Sequence, residues 1–223
     1  MRHAPAGAGV GYHRGVDDAL RDGYDRLAAT YADELWHELD GKPLDRWLLE
    51  RVARDARGPV LEVGCGPGHV TAFLAGHGAD AAGLDLSPAM IAVARARVPA
   101  ARFEVGDLRA LPYADGALGA VVAMYSLIHL PRPEVPAAVA ELARVLAPGG
   151  LLLAAVHAGS ETLHPGELWG IAVDIDWNFI EPEALFAAVA AAGLTAVERL
   201  VRWPYDGAEH ASRRAYVLAR KPA

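Results

Sequence analysis

Val60-Leu61-Glu62-Val63-Gly64-Cys65-Gly66-Pro67-Gly68 decides how this chain is read. A short apolar run, introduced by Gly58-Pro59, ends in three closely spaced glycines and is followed by a helical segment from His69 to about Gly76. Strand, glycine turn and helix, in that order, open a parallel sheet. Glycines at 64, 66 and 68 let the backbone turn sharply. They also let a ligand approach the peptide planes without an intervening Cβ, beside the free N–H groups of the next helix. The dinucleotide fingerprint needs its last glycine at position 69, which is His69, so that fingerprint is not met. Glu62, at the end of a strand that should be buried, points the same way. An unpaired buried carboxylate is costly; it repels a pyrophosphate but suits a ligand that carries an ammonium or needs a hydrogen-bond acceptor.

Outward from this turn the pattern repeats. Ala81 to Leu86 reads as a second strand, closed by Ser87 as helix cap and Pro88 as first helical residue, with a helix to Val98. Arg102 to Val105 is a third strand leading to Gly106-Asp107, and Leu118 to Met124 a fourth. A helix from Arg132 to Leu146 stops at Pro148-Gly149-Gly150, and Leu151 to Val156 is a fifth strand. Continuous apolar strands alternating with helices predict an α/β doubly wound sheet covered on both faces. Asp85 ends the second strand, where an acid reaches the hydroxyls of a ribose, and Asp107 ends the third. Three carboxylates around a glycine turn, with no lysine nearby, describe a pocket for a phosphate-free adenosine ligand with a positive amino-acid end.

The flanks are organised differently. Residues 1–16 read as a flexible tail and 17–223 as a single domain. Apolar positions at helical spacing between Asp17 and Asp55 predict two or three amphipathic helices over 17–57. The stretch 157–180 is an irregular insert, expected either to line an acceptor site or to cap the core or a dimer contact, and it includes one alternating segment, Val173 to Phe179, expected to be a strand. A helix from Pro182 to Ala192 and two strands, about 196–202 and 214–220, close the chain as an antiparallel pair.

The chain has 223 residues, 53% of them apolar and 22% charged, enough for one substantial core. Its 28 acidic and 21 basic residues give a net charge of −7, the wrong sign for a protein that must neutralise many phosphates. No apolar run reaches the length of a membrane span, and the single cysteine, Cys65, excludes an internal disulfide. These features predict a cytoplasmic protein without a membrane partner and make nucleic acid a poor candidate partner; the expectation is a small-molecule substrate, no metal, and a monomer or homodimer. Only Lys42 and Lys221 are lysines among the basic residues, and alanine is abundant, a bias that looks like a GC-rich bacterial genome.

In five motifs the chain resembles the class I S-adenosylmethionine-dependent methyltransferases of the small, standalone type. Val60 to Gly68 is similar to the family's first motif, Leu84 to Met90 to the second, Val105 to Leu108 to the third and Met124 to Leu130 to the fourth. Glu141 to Gly150 resembles the helix and turn before the fifth strand. The resemblance implies a three-layer, Rossmann-like sheet of seven strands, mostly parallel with the last antiparallel, beneath N-terminal lid helices. It implies S-adenosylmethionine as cofactor and S-adenosylhomocysteine as product. Glu62 and the backbone from Gly64 through Cys65 to Gly66, in the turn that Gly68 closes, would face the methionine moiety. Asp85 would face the ribose, Leu86 and Met90 the adenine, and Asp107-Leu108 its amino group. Met124 and Tyr125 fall at the fourth motif, and Tyr24 and Tyr31 resemble the lid helix that closes over the cofactor. Gly119 departs from the family, which often has an acid there.

His129 and His157, after the fourth and fifth strands, are the candidate catalytic bases for an oxygen or carbon nucleophile. Each has a plainer reading as a histidine bonded to backbone, as Tyr24 and Tyr31 do as core aromatics and Asp107 does as a turn residue. The spacing His157, Glu161, His164, Glu167 invites a metal but lacks a two-histidine helical motif. The expected activity is methyl transfer to an oxygen, nitrogen or carbon of a small molecule. The alternatives are a cyclase-like reaction with the same cofactor and a non-catalytic scaffold.

Overall fold

A computed structural model describes the backbone from residue 10 and the side chains from residue 17 to residue 223. In chain order it contains α1 (Val10–Leu35), a 3-10 turn (Glu38–Gly41), α2 (Pro43–Asp55), β1 (Val60–Val63), α3 (His69–Gly76), β2 (Ala81–Asp85), α4 (Pro88–Arg97) and β3 (Arg102–Val105). There follow β4 (Leu118–Met124), 3-10 turns at Leu127–His129 and Arg132–Glu134, α5 (Val135–Val145) and β5 (Leu146–Ala158). Four two-residue strands come next, β6 (Thr162–Leu163), β7 (Glu167–Leu168), β8 (Ile171–Ala172) and β9 (Trp177–Asn178), and then α6 (Pro182–Ala191), β10 (Thr195–Arg202) and β11 (Arg213–Arg220). Of the tail expected over 1–16, residues 10–16 lie in α1, and residues 1–9 fall outside the described residues.

The main sheet has the order β10-β11-β5-β4-β1-β2-β3. β11 runs antiparallel to both β10 and β5, and the other pairings are parallel. This is the expected seven-stranded doubly wound arrangement, with the strand order reversing between β1 and β4. Successive residues of each buried strand supply opposite cores. Leu61, Val63, Val121, Leu152 and Val217 pack with α5 and α6. Val60, Val122, Leu153 and Tyr216 pack with Leu48 and Leu49 of α2 and Leu74 of α3. Burial on both faces is why these strands read as unbroken apolar runs.

Two expected elements differ. Pro148-Gly149-Gly150 does not separate α5 from β5: the helix ends at Val145 and the strand begins at Leu146. The turn is an irregularity inside the strand, with a register shift against β4 between Leu118 and Ala120. Gly149, at φ +79°, donates its N–H to Lys221 at 2.9 Å, and Lys221 donates back to Gly150 at 2.9 Å. Pairing with the end of the chain thus carries the ladder across a sequence that reads locally as a stop. The strand expected over 173–179 shrinks to the two residues of β9, paired with β6. Its alternation reports burial rather than pairing: Val173 and Ile175 pack on Leu27 of α1, and Asp174 and Asp176 are exposed.

Helix α1 lies across the carboxyl edge of the sheet. Asp25 accepts from Ser87 Oγ at 2.5 Å and from the Ala89 N–H at 3.0 Å, which ties α1 to the start of α4. Arg97 donates to Ala32 O at 3.3 Å and pairs with Asp33, fixing the other end. With the 157–180 segment packed on its opposite flank, α1 forms a roof.

Candidate functional site

Beneath that roof lies a cavity of about 370 Å³, bordered by the ends of β1, β2, β3, β4 and β5. Its lining includes Tyr24, Tyr31, Glu62, Gly64, Cys65, Gly66, Asp85, Leu86, Met90, Asp107, Leu108, Met124, Tyr125, His129 and His157. Of the site residues expected from sequence only Gly68 is absent from it. Gly68 caps α3 at φ +86°, and a Cβ there would lie 2.9 Å from the Phe103 ring, so its role is to shape the turn. Gly64, at φ +68°, is packed so closely on Ser126 that a Cβ would overlap the serine side chain. Cys65 presents backbone; its thiol is buried with Ile91 and Phe103, and burial raises its pKa well above the ordinary value.

The carboxylates at this end are of two kinds. Glu62, 2% exposed, accepts from Thr71 Oγ1 at 2.5 Å, and burial pushes its pKa up to about 8. Asp85 accepts from the Gly66 N–H at 2.8 Å through one oxygen and from the Ser87 N–H at 2.8 Å through the other. Burial nevertheless raises its pKa too. Asp107 is not the open acid expected from sequence. Arg109, two residues on, donates to it through Nε at 3.0 Å and Nη2 at 2.7 Å, and also reaches Asp17 at 2.6 Å and Glu134 at 3.2 Å. The local cation comes from an arginine within the same turn. His69 Nδ1 and Ser126 Oγ line the same end, buried and without a hydrogen-bond partner among the described residues. Buried polar atoms left this way cost free energy, and a polar ligand would satisfy them.

Tyr24, Tyr31, His129 and Trp169 form an aromatic roof. The Tyr24 and Tyr31 ring centroids are 6.0 Å apart, and Trp169 lies edge-on to Tyr31 at 5.7 Å. His129 Nδ1 lies 3.2 Å from Asp176 O, an acceptor only, so Nδ1 carries the proton. Nε2 then accepts from the Tyr24 hydroxyl at 2.9 Å. Burial lowers the His129 pKa to about 4. His157, on β5, has Nδ1 2.7 Å from Ser212 Oγ and stacks on Phe179 at 5.0 Å. Burial first, then the nearby charge of Arg214, lowers its pKa to about 2. Both imidazoles are neutral at pH 7, and the basic nitrogen of His129 is already occupied by a tyrosine. The four residues of the metal-like spacing do not converge. His164 turns instead to Asp176 at 2.9 Å and Asp174 at 3.6 Å, and among the described residues no group of three or more His, Cys, Asp or Glu side chains is arranged to hold a metal ion.

Sequence reasoning missed the far end of the cavity. Asp45 of α2, 0% exposed, accepts from Tyr216 Oη at 2.7 Å, Tyr125 Oη at 3.2 Å and Arg202 Nη2 at 3.2 Å. Arg202 also clasps Glu209 at 2.6 and 2.8 Å. Lys42 bonds Glu38 at 2.5 Å, and Glu38 accepts from His69 at 2.8 Å. Burial pushes Glu38 up, but His69 and Lys42 outweigh it and hold its pKa near 2. Tyr125 sits at φ +58°, a conformation that costs a non-glycine residue roughly 1–3 kcal/mol. That backbone sets its ring between Lys42, 5.3 Å from the centroid, and Arg214, 5.6 Å away. One sequence signal existed here: Arg214 stands directly before the apolar run Ala215 to Ala219 of the last strand.

Residues 60–150 match the family model described as a methyltransferase domain. The malonyl-[acyl-carrier protein] O-methyltransferase of Serratia marcescens is 34% identical over 110 residues, which cover 49% of this chain and 42% of that protein. The chain spans about half the length of the curated relatives it matches. The 1,6-didemethyltoxoflavin-N1-methyltransferase of Burkholderia thailandensis, solved with 1,6-didemethyltoxoflavin and S-adenosylhomocysteine, superimposes with a TM-score of 0.69 at 22% identity, covering 100% of this chain and 94% of that one. The [4+2]-cyclase SpnF superimposes at 0.64 and 21% identity, covering 90% of this chain and 97% of that one. Likeness at that level shows the fold, and the cyclase illustrates that one fold serves more than one chemistry.

Proposed function

The chain belongs to the class I S-adenosylmethionine-dependent methyltransferases, and from that membership we propose that it transfers a methyl group to a small-molecule acceptor by direct displacement. S-adenosylmethionine, when bound, supplies a methyl carbon activated by a sulfonium. The observation that carries the reading is Glu62: a carboxylate buried at the glycine turn with a pKa near 8 is one that a cationic ligand would return to its charged form. The unpartnered His69 Nδ1 and Ser126 Oγ beside it fit the amino-acid end of the same ligand.

The chain's own residues bind, orient and exclude water. Asp85, its carboxylate oriented by two backbone donors, is assigned to the ribose hydroxyls, and Leu86 and Met90 to the adenine. Arg109 holds Asp107 beside Leu108 and joins both to α1 through Asp17, so the adenine side of the cavity is fastened to the roof. Tyr24 and Tyr31 exclude water from above. Displacement at a methyl carbon needs in-line placement at about 3–3.5 Å and a dry site more than it needs a covalent residue. A base with a pKa near 4 is a weak proton acceptor at pH 7, so we assign His129 to positioning the roof through Tyr24 rather than to proton removal.

Calorimetry tests the cofactor. S-adenosylmethionine and S-adenosylhomocysteine should bind and NAD should not; the reverse preference, or no binding of either sulfur ligand, overturns the reading. Incubation with candidate acceptors tests the reaction: release of S-adenosylhomocysteine marks transfer, whereas product formed with the sulfonium intact marks a cyclase-like reaction.

A further inference from the structure

The cavity end between β5 and β11 carries a guanidinium that the assignments above leave unused. Arg214 is 3% exposed and faces His157 across the β5–β11 pair. Its Nη1 donates to Ser212 O and Ser212 Oγ, both at 2.6 Å, and its Nη2 to His210 O at 3.1 Å, all of them neutral acceptors. Nε has no hydrogen-bond partner among the described residues. The carboxylate within ion-pair range, Glu209, has its Oε1 3.8 Å from Nε, beyond hydrogen-bond reach. Glu209 is also claimed by Arg202 and by the Tyr205 N–H at 2.7 Å. A buried charge is costly unless it is paired and hydrogen-bonded. Arg214 is therefore fixed in place by its two terminal nitrogens while its Nε–Nη2 edge, the side-on edge that takes a carboxylate in a bidentate pair, has no hydrogen-bonded carboxylate, Glu209 standing 3.8 Å from Nε.

We propose that Arg214 anchors a carboxylate of the methyl acceptor, so that the enzyme's substrates are small organic acids with a flat or apolar body. The proposal rests on the methyl-transfer reading above. Its surroundings agree with it. The Tyr125, Trp177 and His157 rings line the same part of the cavity, with Trp177 stacked on His157 at a ring distance of 6.0 Å, and they offer flat walls to the body of such an acid. The charges of Arg214 and Lys42 both lower the proton affinity of His157, the mark of a positive local field that favours an anion and disfavours an ammonium. The cavity is thus polarised, with an acid at Glu62 under the cofactor's cationic end and, on the acceptor side, the Arg214 cation, whose neighbouring carboxylate Glu209 is hydrogen-bonded to Arg202 instead.

The test uses the full chain with and without S-adenosylhomocysteine. Probes are matched acid–amide pairs: benzoate and benzamide, phenylacetate and phenylacetamide, indole-3-acetate and indole-3-acetamide. Saturation-transfer NMR and calorimetry should show at least one acid bound at least about tenfold more tightly than its amide, the worth of one charge-assisted hydrogen bond. Arg214→Gln should abolish that preference, and Arg214→Lys should retain part of it, with S-adenosylhomocysteine binding unchanged in both. Amides binding as well as acids, no acid binding, or an acid preference that survives Arg214→Gln overturns the proposal. If Arg214→Gln does not fold, the wild-type acid–amide ratio still decides. Failure of S-adenosylhomocysteine to bind the wild type would instead sink the methyl-transfer reading, and the acid–amide ratio without it is read separately.

Discussion

The two ends of the cavity are built by different means. The end at β1, β2 and β3 comes from one stretch of chain, residues 60–109, in which each strand carries its acid at or just beyond its carboxyl end. Its carboxylates are held by near neighbours in sequence: Asp85 by the backbone N–H groups of Gly66 and Ser87, Glu62 by the Thr71 hydroxyl and Asp107 by Arg109. The end at β5 and β11 is assembled from parts far apart in sequence: Asp45 from α2, Tyr125 after β4, Arg202 and Tyr216 from the last two strands. It is held by side chains bonding side chains in a buried network. The first end is local geometry awaiting a ligand, and the second is tertiary structure that stabilises the fold from behind the cavity wall, which it reaches through Tyr125.

The sharpest way to break this contrast is to delete one member of each end and measure stability and binding together. Asp45→Ala strips a buried acceptor from Tyr216, Tyr125 and Arg202 and leaves the arginine partly uncompensated. A broken buried network of this kind costs about 3 kcal/mol. For a chain of this size that is about 6–12 °C of melting temperature, with S-adenosylmethionine affinity little changed. Asp85→Ala should do the opposite, lowering cofactor affinity about 100-fold through lost charge-assisted bonds while moving the melting temperature by only a few degrees. If both variants melt alike and bind alike, the two ends are not distinct in kind.

The same contrast explains what was legible in the sequence. The glycine turn, the strands around it and the acids at their ends each depend on a few neighbouring residues, so reading them in order placed Glu62, Asp85 and Asp107 on one rim. What failed there was still local: Arg109, two residues from Asp107, neutralises it. Apart from Arg214 beside the last apolar run, the far end had no local signature. That Asp45 meets Tyr216 follows only from the pairing of β11 with β5 and the packing of α2 against that face. The alternation over 173–179 was misread for a related reason: α1 covers one side of that segment, so a period of two marks contact with a helix rather than a ladder in the sheet. Pro148-Gly149-Gly150 was likewise a stop by composition and a continuous strand by virtue of Lys221.

A third effect sharpens the contrast through pH. Glu62 has a folded pKa of about 8, above its ordinary 4.5. The folded state therefore holds a proton that the unfolded chain releases, and stability falls as pH rises from about 4.5 to about 8. Glu62→Gln should flatten that decline in a series of melting temperatures. Binding of a cationic ligand favours the ionised carboxylate, so binding below pH 8 should release up to about one proton per site, read from calorimetry in buffers of different ionisation enthalpy. Wild-type and Glu62→Gln proteins with the same proton release would mean that the ligand's cation does not meet Glu62.

The smallest expected effect concerns the roof that spans both ends. Tyr24 donates to His129, and His129 donates to Asp176, so one chain of bonds links α1, the turn after β4 and the 157–180 segment. Tyr24→Phe removes a single neutral hydrogen bond, worth about 1 kcal/mol, and should weaken cofactor binding about fivefold. If His129 acts only through that bond, His129→Ala should cost a similar amount, and the double variant little more than either single one. A catalytic base behaves otherwise. Its loss would lower the rate of the bound complex far more than Tyr24→Phe does, and it would impose a titrating limb on the rate between pH 6 and 8. A positioning histidine with a pKa near 4 leaves that range flat. Equal and non-additive losses with a flat profile assign His129 to the roof, and a steep His129-specific limb assigns it to the chemistry.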